Sequence, residues 1–83
     1  MGYVKRNQYS AKEQRLRRLL RQAREKRGVT QAALATMLRK PQSFVSKYES
    51  GERILSFAET IDVCKVLRLK PNSLLSQYLL HAS

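Results

Sequence analysis

The chain has 83 residues, and 17 Lys and Arg against six acids leave a formal net charge of +11. That length holds one domain with one modest core, and a lone cysteine, Cys64, excludes an internal disulfide and a cysteine-based zinc site and fits a reducing, intracellular setting. The basic excess calls for a polyanionic partner, nucleic acid or an anionic membrane surface, while no apolar run nears the roughly 20 residues that span a bilayer.

Residues 1–9, MGYVKRNQY, lack periodicity and read as a basic N-terminal arm ahead of a folded domain over 10–83. Its Lys5 and Arg6 add to the basic excess; an arm of this type can follow a nucleic-acid groove, and the sequence leaves open whether this one does. The N-terminal stretch lacks the apolar block of a signal peptide, so a soluble, cytoplasmic protein is expected. Ser10 with Glu13 has the spacing of a capping box. Leu16, Leu19, Leu20 and Ala23 then form one apolar stripe, and Gly28 is a natural stop, which predicts a first helix over about 11–27. Seven cations from Arg15 to Arg27 surround that stripe. Taken alone, such a helix suits a membrane surface, but the helices that follow need the stripe for their core, so membrane binding is not expected.

Thr30 is the N-cap of a short second helix with Leu34, Ala35 and Leu38 inward. Arg39 and Lys40 form a cationic corner, and Pro41 opens a third helix over about 41–50, because its ring presets φ and pushes Lys40 toward extended backbone. Phe44, Val45 and Tyr48 supply the inward side of this helix, and Ser50-Gly51 ends it. Gln42, Ser43, Ser46 and Lys47 are left on the opposite side. Phe44 lies at the edge of the inner face, where it either packs on the core rim, the favoured reading, or meets a thymine methyl.

Ser56 with Glu59 repeats the capping-box spacing and starts a fourth helix, with Phe57, Ile61, Cys64 and Leu67 as its apolar stripe. Cys64 is read as a small buried apolar residue. Pro71 begins a fifth helix carrying Leu74, Leu75, Tyr78 and Leu79. No segment alternates with period two, so the class is all-α, with five short helices. His81 is the only histidine and sits in the tail. No nucleophile–base pair, carboxylate pair, phosphate-cradling glycine loop or metal cluster is present, so neither an enzyme, a cofactor, a metal site nor a small-molecule ligand is expected.

A basic helix, then TQAALATMLRKPQSFVSKYESGER, then two more helices resembles the helix-turn-helix domain of the lambda repressor and Cro class, the XRE family. The resemblance covers roughly residues 13–76 and rests on Thr30-Gln31, Leu34-Ala35, the run from Val45 to Arg53 and the segment LKPNSLL. It implies a compact five-helix bundle acting as a sequence-specific double-stranded DNA-binding transcriptional regulator in the cytoplasm, associated with the nucleoid. In such a module the third helix enters the major groove. Gln42, Ser43, Ser46 and Lys47 then become base contacts, since Gln pairs with adenine, Lys donates to guanine and Ser serves either role.

Gln31 would clamp a phosphate at the head of the second helix, and the corner cations Arg39 and Lys40 would lie close to a phosphate strand. Arg53 matches a phosphate-contacting position, with a solvated loop charge as its alternative. The resemblance also implies an ion pair between Arg24 and Glu49, and a homodimer on a palindromic operator. Leu75, Tyr78, Leu79 and Leu80 would form the dimer contact or else close the monomer core.

Many members carry glycine where this chain has Arg39, so either a strained corner or a different turn is expected. Pro41 replaces a hydroxyl cap. The alternative function is an antitoxin or adaptor on the same fold, with a protein as its main ligand. RNA binding ranks below both, because no aromatic stacking surface is evident.

Overall fold

A computed structural model of the chain describes residues 10–80. The arm at 1–9, with Lys5 and Arg6, and the tail with His81 lie outside the described residues. Five helices follow one another with no strand among the described residues: α1 Ala11–Lys26, α2 Gln31–Leu38, α3 Gln42–Ser50, α4 Phe57–Val66 and α5 Pro71–Leu80. The starts lie where local chemistry puts them. Ser10 Oγ accepts from the Glu13 N–H at 3.2 Å, and Thr30 Oγ1 accepts from the Ala33 N–H at 3.0 Å. At α4 both halves of the capping box form, with Ser56 Oγ accepting from Glu59 N–H and Glu59 Oε1 from Ser56 N–H. Pro41 is the N-cap of α3 rather than its first helical residue, and no side chain caps that helix.

Three helices end in the same way. At α1 the Val29 N–H returns to the Arg24 carbonyl and the Gly28 N–H to Glu25; at α2 Lys40 returns to Ala35 and Arg39 to Thr36; at α4 Leu69 returns to Cys64 and Arg68 to Lys65. This paired closure needs a left-handed residue at its pivot. Gly28 supplies it without strain at φ +68, whereas Arg39 and Arg68 adopt it at φ 58 and 54. The corner before α3 is therefore the glycine-type turn held by an arginine, not a different turn. Each arginine costs about 1 kcal/mol relative to glycine, offset by the two carbonyls that the closure satisfies.

The core is made of Leu20 from α1, Leu34 and Ala35 from α2, Phe44, Val45 and Tyr48 from α3, Leu55 from the following loop, Val63, Cys64 and Leu67 around α4, and Leu74 from α5. Leu16, Leu19 and Ala23 pack against it half-buried. The stripe expected for the fourth helix is corrected. Phe57 is 81% exposed and Ile61 only half-buried, and the inner face is Thr60, Val63, Cys64 and Leu67. That set also has helical spacing. Thr60 can sit inside because its hydroxyl donates to the Ser56 carbonyl at 2.9 Å. On α5 only Leu74 is buried, while Leu75, Leu79 and Leu80 are exposed. α3 packs against both α2 and α1, α2 against α4, and α1 against α5. The third helix is thus gripped from behind and leaves one face open.

Candidate nucleic-acid interface

The open face of α3 follows from which of its residues the core takes. Val45 and Tyr48 are fully buried, so Gln42, Ser43 and Lys47 emerge on the far side, all exposed. Ser46 is half-buried, and its hydroxyl donates to the Ser43 carbonyl at 3.3 Å, which leaves it less available than its neighbours. Arg39 and Lys40 are exposed at the N-terminal end of this face, and Arg53 lies just past its C-terminal end. Among the described residues this brings three cations to the ends of a short, uncharged-to-cationic helix face.

Behind that face, α3 is fixed by a buried ion pair. Arg24 of α1 donates from Nε to Glu49 Oε2 at 2.7 Å and from Nη2 to Oε1 at 3.0 Å. Its Nη1 donates to the Val29 carbonyl at 2.8 Å, so the guanidinium ties α1, the α1–α2 loop and α3 together. Hydrogen bonding to Glu49 raises the Arg24 pKa above its ordinary value. Gln31, the first residue of α2, donates one amide N–H to Glu49 Oε1 at 2.9 Å. It retains a second N–H, and with it the capacity to meet a phosphate. The carboxylate that would repel DNA is thereby saturated and turned inward.

Phe44 is buried, with its ring edge-on to Tyr48 at a centroid distance of 5.8 Å. Two cations also approach its ring: Lys40 Nζ lies 5.5 Å and the Arg53 guanidinium carbon 4.9 Å from the ring centroid. Arg53 is also ion-paired to Glu59. The Tyr48 hydroxyl is buried with no hydrogen-bond partner among the described residues, and burial raises its pKa. Burial likewise raises that of the Cys64 thiol.

Two features had weak sequence signals. Gly51 needs its φ of +94 to end α3, but a Cβ there would also lie 3.0 Å from the Arg17 guanidinium, a contact no sequence pattern announces. Phe57, read as core, instead stands beside Leu75 and Tyr78 on an open apolar groove of about 450 Å³ between α1, α4 and α5. Arg15 lies over the Tyr78 ring at 5.3 Å. Leu79 and Leu80 continue the exposed apolar surface of α5. Among the described residues no group of acids, cysteines or histidines is placed to hold a metal ion, and no helix is long and apolar enough to cross a membrane.

Comparison with known proteins gives a concordant picture. A family model described as helix-turn-helix matches residues 20–74. Among solved structures, the chain is similar to the clp gene regulator ClgR from Corynebacterium glutamicum, with 26% identity over 84% of this chain and 74% of that one and a TM-score of 0.75. No curated protein matches the chain.

Proposed function

The chain belongs to the helix-turn-helix family, and from that premise we propose that it is a sequence-specific double-stranded DNA-binding transcriptional regulator, a dimeric repressor that reads the major groove with α3. The observation that carries this reading is the outer face of α3, polar and exposed between cations while its inner face is locked to α1 and α2. The likeness to a gene regulator supports the same class.

In this reading Gln42, Ser43 and Lys47 meet base edges, with Ser46 a weaker contributor because its hydroxyl bonds within the helix. Gln31, Arg39, Lys40 and Arg53 meet phosphates, which set register rather than sequence. α3 is only nine residues long and spans few base pairs, so a homodimer on a palindromic operator supplies the remaining specificity, with half-sites about one helical turn apart. The exposed Leu75, Leu79 and Leu80, with the half-buried Tyr78, are the proposed dimer contact, and Phe57, exposed on the same groove as Leu75 and Tyr78, is proposed to join it. Bound to its operator, such a dimer represses by excluding polymerase, in the cytoplasm and on the nucleoid. Selection of binding sites from a random duplex pool tests the reading: enrichment of a palindrome supports it, and no enrichment refutes it.

A further inference from the structure

Resting on the DNA-binding reading, the geometry points to a composite phosphate site in which the Phe44 ring gathers Lys40 and Arg53 from either side of α3, and Glu59 is the carboxylate that a DNA phosphodiester displaces from Arg53. Lys40 precedes α3 and Arg53 follows it, yet both cations lie within 5.5 Å of one ring centroid. The ring itself is held by burial and by its edge-on contact with Tyr48, so it is a fixed platform for two long, flexible side chains. An aromatic face attracts cations and limits their rotamers without neutralising them. A phosphate arriving there therefore meets two cations already partly ordered, which lowers the entropy lost on binding.

Glu59 is unlike Arg53 in mobility. Its Oε1 accepts from the Ser56 N–H at 2.8 Å, which pins the carboxylate to the start of α4, while its Oε2 receives the Arg53 guanidinium. Hydrogen bonding from the Ser56 backbone, opposed by burial and reinforced by Arg53, holds its pKa below the usual carboxylate value, so it is charged at neutral pH. The Arg53 side chain is 43% exposed against 25% for Glu59. The arginine is the partner free to exchange one anion for another, and an exposed pair of this kind is weak enough to be exchanged. The charge of Glu59 thus screens Arg53 until a phosphate takes its place.

Titration of the full chain with a short duplex of arbitrary sequence, across a range of salt concentrations, tests this. Glu59→Gln keeps an oxygen for the Ser56 N–H and so preserves the cap. It is expected to tighten binding severalfold in the wild-type background and to have no effect in the Arg53→Gln background. Phe44→Leu is expected to reduce the slope of log affinity against log salt by about one to two phosphates, at about 0.9 per phosphate, whereas Phe44→Tyr keeps the ring and the wild-type slope. Equal tightening by Glu59→Gln in both backgrounds would show only a general charge effect and overturn the site. So would a cooperatively melting Phe44→Leu protein with the wild-type slope. Absence of salt-dependent binding by the wild-type chain would instead overturn the DNA reading, and the site with it.

Discussion

Replacing Glu49 with alanine strands a buried cation, and the structure bounds the consequence. The Arg24 and Glu49 side chains are 10% and 4% exposed. The carboxylate receives hydrogen bonds at 2.7 and 3.0 Å from Arg24 and at 2.9 Å from Gln31; after its removal Arg24 keeps, among the described residues, its hydrogen bond to the Val29 carbonyl. Breaking a buried pair by deleting one partner costs about 3–5 kcal/mol. A cleft lined by Gln14, Arg17, Arg18 and Arg21 reaches Glu49. The lower end of that range, ~3 kcal/mol, is taken as the expected loss.

At about 4–8 °C per kcal/mol for a domain of this size, the melting temperature falls by on the order of 12–24 °C. Thermal unfolding followed by far-UV circular dichroism measures it. Arg24→Met with Glu49→Ala in one chain should be less destabilised than the sum of the two single changes, because each then removes a group the other had left unpaired. A Glu49→Ala protein melting within a few degrees of wild type would refute the claim that this pair fixes α3.

Arg39→Gly and Arg68→Gly should each stabilise the fold by about 0.5–1 kcal/mol, since glycine takes the left-handed pivot without a Cβ clash. The two should differ in DNA affinity: Arg39→Gly removes a cation from the end of the α3 face and weakens binding, whereas Arg68→Gly, at the end of α4, leaves it unchanged. Equal affinities would remove Arg39 from the phosphate contacts. Gly51→Ala should destabilise by ~1–2 kcal/mol, from its φ of +94 and the crowded Arg17 guanidinium, and an unchanged denaturant midpoint would show that the end of α3 tolerates a side chain.

What the chain discloses without coordinates depends on how local the cause is. Ser10, Thr30 and Ser56 announce their helices because a cap needs only its own next three residues. The face of α3 was legible for a similar reason, with Val45 and Tyr48 apolar and their opposites polar. α4 was misread because the pattern ranks Phe57 above Thr60, yet a threonine whose hydroxyl returns to the backbone is easily buried, and the first residue of a helix is easily left outside. The corner at Arg39 could not be decided locally, since two closing hydrogen bonds outweigh an arginine's dislike of positive φ. The partnership of Arg24 with Glu49 spans 25 residues, and only the resemblance to a known family implied it. The gathering of Lys40 and Arg53 on Phe44 depends on where α3 lies against the following loop, which no spacing encodes.

The central claim is that α3 reads DNA sequence as part of a symmetric pair. Selecting duplexes from a random pool with the full chain, then weighing the selected complex, addresses it most directly. The expected result is a palindromic consensus with half-sites about one helical turn apart, bound by two chains, with Lys47→Ala relaxing preference at one position per half-site by ~1–3 kcal/mol. Weak binding without sequence preference at every salt concentration would contradict it and would favour an adaptor whose partner is a protein.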